Sequence, residues 1–424
     1  MVMNSDFDVV IVGAGMVGAT IACGLARSNL KVAVIDHQKA KAYIENERPH
    51  IRVSAISFAS EQVLKHVGAW NYISSKRNCP YRRLAVNEMP AKEGLAAKLP
   101  DISNWARTEF NAEDISQTHL GHIVENDIVH LALHEQMANL EESTSLSIFC
   151  PDDVVTMNLQ GEKKKIVLSK RGEISARLVI GAEGAQSQVR IQAGIGQTRE
   201  QYEQQAFVCT VRYRGVQEDI TWQSFTPHGP IAFLPLSDVG DNHYASLVWY
   251  DEPERIEDLK TLSDEDLLNH FQSEYQDSLP PLLSIEERAS FPLFRSHALS
   301  YIKQGIVLAG DAAHTINPLA GQGVNLGILD AAALIEVLIQ ANMNNEDIAS
   351  ETVLKRYQKA RRTENQIMMS AMDAFYYGFS NEVLPLRILR NIGLGLANNA
   401  GFAKNNVMKY AIGAAGDLPK LAKS

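Results

Sequence analysis

Glycines at a characteristic spacing follow a short β-branched run near the start of the chain. The run Phe7–Val12 is typical of a buried parallel strand, and Gly13-x-Gly15-x-x-Gly18 follows it directly. In a dinucleotide-binding turn, these glycines permit a tight turn, let the backbone approach a pyrophosphate and allow close packing of a helix. Residues 19–27 are predicted to form that helix, whose first turn offers free N–H groups and a positive dipole end to phosphates.

An acidic residue completes this pattern. Residues 31–35 are predicted to form a second strand ending at Asp36, eighteen residues after Gly18. A carboxylate there can accept hydrogen bonds from adenosine ribose hydroxyls and would repel a 2′-phosphate. Residues 9–26 also form an uncharged stretch long enough for a membrane helix. Because its glycines have pyrophosphate-binding spacing, we interpret it as a nucleotide site, which by itself leaves FAD and NAD open.

A second glycine-bearing segment lies almost three hundred residues further on. Residues 306–309 are predicted to form a buried strand that delivers Gly310 and Asp311 to the carboxyl edge of the sheet, where ligands of open α/β folds bind. The Asp311 carboxylate can accept a hydrogen bond from a ribityl hydroxyl. The small-residue loop 317–325 lets backbone amides reach a flavin, and the next helix, predicted to end near Ile339, directs its positive end at the ring. The two segments together predict FAD, and His314 is interpreted as a capping or packing residue.

Composition and charge restrict the class of protein. The 424 residues suit two or three domains, and 45% apolar and 21% charged residues are ordinary for a globular protein. The net charge of −10 argues against a nucleic-acid partner. The first strand begins close to Met1, which leaves no room for a signal peptide and predicts a cytoplasmic protein. Four widely spaced cysteines predict neither a disulfide framework nor a zinc site, and no metal is predicted: Cys23, Cys79, Cys150 and Cys209.

The rest of the chain alternates between two kinds of sheet. Residues 123–140 have helical apolar spacing, and the β-meander after them ends in residues 178–184, an apolar strand of the parallel type. Residues 206–250 contain longer strands rich in aromatic and β-branched residues, typical of a separate antiparallel sheet. The predicted fold is therefore α/β: a Rossmann-like FAD-binding domain with a parallel sheet and a β-meander, interleaved with an antiparallel-sheet substrate domain and followed by C-terminal helices.

Boundaries for these parts follow from the same pattern. Shorter elements are an extended piece leading into a helix near Ser57, strands within 81–99, and a helix over 263–276 with Ser263 as N-cap. We place the discontinuous FAD-binding domain at 1–75, 117–184 and 290–345, the substrate domain at 76–116 and 185–289, and the C-terminal helical region at 346–424.

Three landmarks of the chain resemble those of single-component aromatic hydroxylases with the para-hydroxybenzoate hydroxylase fold. They are the first glycine motif, Gly181-Ala-Glu-Gly184 and Gly310-Asp311. Residues 52–57, 225–236, 246–250 and 310–327 are similar to the FAD-dependent aromatic hydroxylases of ubiquinone biosynthesis, the UbiH/UbiF/VisC-type family. Residues 80–84, 124–126, 376–380 and 385–393 resemble its UbiF-like subgroup, which hydroxylates 2-polyprenyl-3-methyl-6-methoxy-1,4-benzoquinol. The resemblance covers essentially the whole chain.

The resemblance implies a set of FAD contacts. One position departs from the family pattern, because Glu183-Gly184 stands where the family usually has Asp-Gly. The extra methylene leaves open whether Glu183 contacts the cofactor. The implied cofactor-binding residues are Gly13, Gly15, Met16, Val17, Gly18, Asp36, Arg52, Asn126, Gly310, Asp311, Pro318, Gly321, Gln322, Gly323, Val324 and Asn325.

The resemblance also implies a FAD-dependent monooxygenase with NAD(P)H as electron donor. No second GxGxxG follows a strand, so NAD(P)H would have no Rossmann domain of its own. In this family the reduced flavin captures O₂ as a C4a-hydroperoxide and passes one oxygen atom to a polyprenyl benzoquinol ring. The difficult chemistry is the cofactor's, so no catalytic acid or base is assigned. Phe233, Pro235 and Trp249 are candidate substrate-pocket residues, with ordinary sheet core as the alternative.

Other functions stay open beside this one. A related hydroxylase would act on another ring position or on a small phenol. A flavin reductase or oxidase would share both FAD motifs. A non-catalytic lipid-binding assembly protein is a third reading, although the intact flavin motifs would then have no evident purpose.

The end of the chain is basic and apolar, and a polyprenyl substrate requires access to a membrane. Residues 381–424 hold six basic and two acidic residues, a balance of +4, whereas the whole chain carries −10. Such a segment suits an anionic membrane surface and predicts peripheral contact at the inner membrane face. A helical cover over the FAD-binding domain, or a contact with other ubiquinone-biosynthesis proteins, is the alternative.

Overall fold

A computed structural model of the chain describes residues 6–89, 107–226, 228–275, 278–317, 323–379, 401–413 and 416–423. Strands within them are β1 (Phe7–Val12), β2 (Val32–Ile35), β3 (Val53–Ser57), β4 (Cys79–Tyr81), β5 (Arg83–Glu88), β6 (Thr108–Asn111), β7 (Gly121–Glu125), β8 (Leu146–Phe149), β9 (Val154–Asn158), β10 (Lys164–Leu168), β11 (Gly172–Gly181), β12 (Gln197–Tyr213), β13 (Ile220–Phe225), β14 (Pro230–Val239), β15 (Asn242–Asp251), β16 (Leu282–Ala298), β17 (Ile302–Lys303), β18 (Ile306–Leu308) and β19 (His314–Thr315).

Helices of the same residues cover these strands. They are α1 (Met16–Leu25), α2 (Phe58–His66), α3 (Trp70–Ser74), α4 (Asn126–Glu141), α5 (Gln188–Gln192), α6 (Pro253–Thr261), α7 (Asp264–Glu274), α8 (Gly323–Met343), α9 (Glu351–Phe379) and α10 (Phe402–Ala411).

The first sheet has a parallel centre in the order β17-β18-β11-β1-β2-β8, with β17 antiparallel at its edge. β1 pairs with β2 on one side and with β11 on the other. Val9, Val10 and Ile11 are completely buried because helices cover both faces of this sheet. β9, β10 and β11 form the antiparallel meander. The predicted parallel sheet and β-meander are therefore confirmed.

The second sheet has the order β19-β16-β12-β15-β14-β13-β5-β6 and is antiparallel except where β13 runs parallel to β5. Its strands come from segments that flank and interrupt those of the first sheet, so the interleaved fold is confirmed. One face packs against α6 and α7, and Ser263 caps α7 by accepting from Asp266 N at 3.1 Å, as the sequence predicts. The domain boundaries themselves stay a prediction.

A small third sheet, β3-β7-β4, corrects one predicted element. Residues 123–125 belong to β7 rather than to a helix, and α4 begins only at Asn126. The apolar spacing was misleading here because β7 pairs with both β3 and β4, and this long-range pairing leaves no trace in helical periodicity. The correction places Asn126 at the junction of a strand and a helix.

Helix α8 is long and apolar because it forms the centre of the fold. Among the described residues it is the one helix with the length and hydropathy to cross a membrane, but 72% of its most apolar window is buried within the protein. It ends at Met343, four residues beyond the predicted end near Ile339.

The described part of the C-terminal region packs on the rest of the protein. Met408 and Ile412 are buried in a cluster with Tyr81 and Ile115. Leu421 N donates to Glu336 Oε1 on α8 at 2.7 Å. For residues 401–413 and 416–423 this arrangement favours the helical cover over a membrane-facing surface.

Candidate cofactor site

A cavity of about 1210 Å³ opens at the carboxyl ends of β1, β2 and β18. This exceeds the ~300–1,000 Å³ typical of small-ligand pockets and suits a dinucleotide. The two glycine segments, far apart in sequence, both line it. The structure thus brings together, in one lining, the predicted residues Gly13, Gly15, Met16, Val17, Asp36, Arg52, Asn126, Asp311, Gly323 and Val324.

Six other predicted cofactor residues are not among these lining residues. Gly18, Gly310 and Asn325 are not in the lining. Pro318, Gly321 and Gln322 lie outside the described residues. Gly18 and Gly310 allow close packing: a Cβ on Gly18 would lie 1.9 Å from the carbonyl oxygen of Gly13, and one on Gly310 would lie 2.9 Å from Val17 Cγ2. Their predicted cofactor contacts stay predictions.

The turn after β1 is shaped by close backbone contacts on one side and by open space on the other. Gly13 has φ +96°, and a Cβ there would lie 2.7 Å from the carbonyl group of Ala182. At Gly15, apart from the adjoining chain itself, no atom of the described residues lies within 4 Å of the position of a Cβ. Because Gly15 precedes the first residue of α1 and lines the cavity, this space adjoins the free N–H groups of the helix.

Asp36 holds this turn in place. Its Oδ2 accepts a hydrogen bond from Ala14 N at 2.6 Å, and its Oδ1 accepts from Gln38 N at 3.0 Å. Each carboxylate oxygen can accept a further bond, so the side chain can both fix the turn and receive a ribose hydroxyl.

Two histidines of α4, which the sequence analysis missed, also support the turn. His130 Nε2 and His134 Nε2 lie 3.1 and 3.0 Å from the carbonyl oxygen of Ala14. Burial lowers the pKa of His134, and the adjacent His130 lowers it further. Their i, i+4 spacing places them on one face of α4, but nothing in the sequence connects that face with Ala14.

Asp330 of α8 holds the loop that carries Asp311 in place. Asp330 Oδ2 accepts from Gly310 N at 3.2 Å and lies 2.5 Å from His314 Nε2, so it holds both ends of the loop. Asp330 Oδ1 accepts from Arg361 Nε and from Asn365 Nδ2, each at 2.9 Å. Asp330 is completely buried. Burial opposes its ionisation, but His314 and Arg361 outweigh that effect and hold the pKa of Asp330 well below its usual range.

His314 therefore packs and hydrogen-bonds inside the fold, as its sequence context predicts. Asp311, in contrast, is exposed within the cavity. Its carboxylate is available to a hydroxyl-bearing ligand.

The side chain of Asn325 on α8 is hydrogen-bonded to the main chain of β3. Its Oδ1 accepts from Ser57 N at 2.9 Å and its Nδ2 donates to the carbonyl oxygen of Ala55 at 2.8 Å. The side chain of Asn325 therefore positions α8, and its predicted contact with a cofactor stays a prediction. Asn126 Oδ1 accepts from Ser54 Oγ at 2.6 Å, and Arg52 is exposed in the cavity, where it brings a positive charge.

Sequence comparison identifies the family. A family model described as FAD binding domain matches residues 6–371. The chain is 42% identical to 3-demethoxyubiquinol 3-hydroxylase of Escherichia coli (strain K12), over 97% of this chain and 99% of that protein. It is 31% identical to Ubiquinone hydroxylase UbiL of Rhodospirillum rubrum, over 96% and 89%. The chain belongs to the FAD-dependent monooxygenase family that contains these hydroxylases.

Solved structures agree on the fold. PqsL of Pseudomonas aeruginosa matches with a TM-score of 0.73 at 20% identity, over 92% of this chain and 99% of that one. The p-nitrophenol 4-monooxygenase PnpA of Pseudomonas putida matches with a TM-score of 0.72 at 17% identity, over 97% and 98%. The predicted fold class and family resemblance are therefore confirmed.

Several residues that line the cavity of this FAD-dependent monooxygenase are of the right type to hold FAD. The open space at Gly15 would take the pyrophosphate against the first turn of α1, whose positive end suits phosphate. Asp36 would hold the adenosine ribose and Asp311 the ribityl chain. The first turn of α8, at Gly323 and Val324, would lie at the flavin end, and its helix dipole would stabilise negative charge on the reduced ring.

Glu183, which stands where the family usually has aspartate, is hydrogen-bonded to the start of helix α5. Its Oε1 accepts from Val189 N at 2.7 Å and so caps the short helix α5. Burial raises the pKa of Glu183. The residue also lines the cavity. Glu183 thus joins the edge of the cavity to α5.

The three predicted substrate-pocket residues do not line the described cavity. Phe233 and Trp249 lie in the aromatic core beneath α6 and α7, where Phe233 stacks on Trp222 at 5.8 Å and Trp249 Nε1 donates to Asp251 Oδ2 at 3.0 Å. Pro235 is buried opposite Ala245, a residue of the same core. This placement matches the sheet-core alternative that the sequence left open.

Proposed function

We propose that this FAD-dependent monooxygenase hydroxylates the ring of a polyprenyl benzoquinol intermediate in ubiquinone biosynthesis. The observation that carries the proposal is the 42% identity with 3-demethoxyubiquinol 3-hydroxylase over nearly the full length of both chains. FAD, when bound, supplies the activation of O₂ and the transfer of one oxygen atom to the ring, with NAD(P)H as the electron donor typical of the family. The tasks left to the protein are binding, orientation and exclusion of water.

The ring of the substrate is proposed to lie against the face of the second sheet opposite Phe233 and Trp249. Because side chains alternate along a strand, that face carries Val208 and Thr210 of β12, Leu234 of β14, and Ser246 and Val248 of β15. This face of the second sheet packs against the third sheet in one hydrophobic cluster and against α9 in another. The cluster with α9 includes Leu293, which also lines the cofactor cavity.

Two hydroxyl groups on this face support a polar ligand. Thr210 and Ser246 are paired across β12 and β15, are completely buried, and have no hydrogen-bond partner for their hydroxyls among the described residues. Unpaired buried hydroxyls are costly, so a ring hydroxyl or methoxy oxygen within reach would satisfy them.

Quinone profiling tests the function. In a strain that lacks its 3-demethoxyubiquinol 3-hydroxylase, expression of this chain is expected to remove the accumulated demethoxy intermediate and restore ubiquinone. Thr210→Val and Ser246→Ala, which remove the hydroxyls with little change in side-chain volume, are expected to retain FAD but leave most of the intermediate unconverted. The cofactor-site variant Gly15→Ala serves as the inactive control.

Failure of wild-type chain to convert this intermediate would contradict the proposed substrate. Conversion in a strain blocked at another ring position would then assign the other regiochemistry. Stoichiometric H₂O₂ with substrate present would assign an oxidase.

We propose in addition that residues 380–400, which lie outside the described part of the chain, provide contact with an anionic membrane surface at the cytoplasmic side. The argument is one of charge, since Arg387 and Arg390 stand there among leucines and isoleucines without acidic neighbours after Glu382. Lys404, in the described part of the C-terminal region, is engaged within the protein, because its Nζ donates to the carbonyl oxygen of Glu109 at 3.0 Å.

Charge reversal is a sharper test of this contact than truncation, because truncation would also remove the buried Met408 and Ile412. Flotation of the Arg387→Glu/Arg390→Glu variant with anionic vesicles is expected to fall by tenfold or more, since each basic residue near such a surface contributes about 1 kcal/mol. The control Arg82→Glu/Arg214→Glu alters two exposed arginines of the second sheet region and is expected to float like wild type. Equal flotation of wild type and both variants would contradict the proposed membrane contact of residues 380–400.

A further inference from the structure

A group of three potential metal ligands lies apart from the cofactor cavity. Glu61 comes from α2, His122 from β7, and His119 from the segment just before β7. One ligand atom of each lies within 4.8 Å of the others. None of the three lines the FAD cavity, so the flavin chemistry does not account for them.

The group is buried and incompletely satisfied. Glu61 is 2% exposed and His122 is 8% exposed. His122 Nδ1 has no hydrogen-bond partner among the described residues, and it points at Glu61 Oε2 from 3.5 Å, too far for a good hydrogen bond. A buried imidazole nitrogen without a partner is costly and requires an explanation such as a bound ion.

We propose that Glu61, His119 and His122 bind one Zn²⁺ ion. Two imidazole nitrogens and one carboxylate oxygen are a donor set that Zn²⁺ accepts, with a fourth position left for water. His119 Nε2 lies 2.6 Å from Glu61 Oε2, and its Nδ1 lies 2.8 Å from Thr118 Oγ1. That second contact can hold the ring in the tautomer that presents Nε2 to a metal.

Lys65 lies beside the three potential ligands, and its positive charge affects how tightly an ion can bind. Lys65 Nζ lies 2.6 Å from Glu61 Oε1, while Oε2 faces the two imidazoles. One carboxylate oxygen thus remains for the ion. The ammonium group repels a cation, but the Lys65 side chain is 44% exposed and can move toward solvent.

An ion at this position would join α2 to β7. Helix α2 begins after Ser57, whose N–H donates to Asn325 of α8, and β7 leads directly to Asn126 in the cavity. The ion would therefore stabilise the scaffold beside the flavin site without contacting the flavin.

Metal binding to the full-length holoenzyme tests the proposal. After chelator treatment, equilibrium dialysis against Zn²⁺ and elemental analysis are expected to give one ion per chain, and Zn²⁺ is expected to raise the Tm. His119→Gln and His122→Gln are each expected to weaken binding at least tenfold and to remove the Tm shift. Lys65→Gln is expected to tighten binding, a result that a plain Glu–His hydrogen bond does not predict.

His66→Gln is the matched control, because His66 neighbours Lys65 on α2 but bonds its own helix through Gln62 O at 2.9 Å. Binding of less than one ion per chain in wild type, or binding that His119→Gln leaves unchanged, overturns the proposal. Should His122→Gln fail to fold, His119→Gln and Lys65→Gln decide, since both alter partly exposed side chains.

Discussion

Replacing Gly15 with alanine is expected to weaken FAD binding at least a hundredfold while the apoprotein remains folded. The backbone at Gly15 has φ −62° and ψ −177°, which alanine adopts without strain, and no described residue other than those adjoining Gly15 in the chain lies within 4 Å of the new methyl group. The methyl would instead project into the space proposed for the pyrophosphate. If it prevents two charge-assisted hydrogen bonds of about 1.5–3 kcal/mol each, FAD affinity falls at least a hundredfold, since about 1.4 kcal/mol corresponds to a factor of ten.

Two comparison variants separate this effect from a general cost of alanine. Gly18→Ala places its Cβ 1.9 Å from the carbonyl oxygen of Gly13, so it is expected to disrupt the turn and destabilise the apoprotein as well. Gly378→Ala on α9, where no described residue outside the helix backbone lies within 4 Å of the added Cβ, is expected to leave both properties unchanged. Flavin fluorescence titration gives the affinity and thermal melting of the apoprotein gives the stability. Wild-type FAD affinity in Gly15→Ala would show that the pyrophosphate does not cross Gly15.

The sequence predicts the nucleotide-binding half of the site well because its constraints are local. A strand, three glycines and an acidic residue at fixed spacing determine the turn at Gly13 to Gly18 and the position of Asp36. The predicted helix start at residue 19 is three residues late, because the first turn of α1, from Met16, belongs to the glycine motif itself.

Residues whose roles depend on partners far away in the sequence could not be predicted from local patterns. The alternation along β14 shows that two faces exist, but only the packing of α6 and α7 shows that Phe233 lies away from the cavity. Asn325 follows a flavin-type loop, yet its amide is engaged by the main chain of β3, about 270 residues earlier. His130 and His134 contact Ala14 across a gap of more than one hundred residues that no local pattern spans.

Asp330 is a stronger example of such a hidden residue, because it lies on an apolar helix and carries no motif. Four donors converge on its two oxygens: Gly310 N and His314 Nε2 on one, and Arg361 Nε and Asn365 Nδ2 on the other. Its lowered pKa means that the ionised form is favoured by folding. The stabilisation is fully present above the unfolded value of about 3.9 and is lost only as the pH falls through the depressed folded value.

Asp330→Asn is therefore expected to destabilise the protein by about 3–5 kcal/mol at neutral pH, the range for removing one partner from a buried ion pair. Although asparagine has the same shape, its NH₂ group would face two donors where the carboxylate accepts them, and Arg361 would lose its buried counter-charge. The Gly310–His314 loop would lose its support, so FAD affinity is expected to fall at temperatures where the variant is still folded. Urea unfolding and flavin titration measure the two effects.

The control Glu351→Gln, which breaks an exposed ion pair with Lys355 on the neighbouring helix α9, is expected to lower the free energy of unfolding by less than about 1 kcal/mol. Equal unfolding midpoints for Asp330→Asn and wild type would mean that the four contacts to Asp330 contribute no net stability, and the positioning role assigned to it would then be wrong.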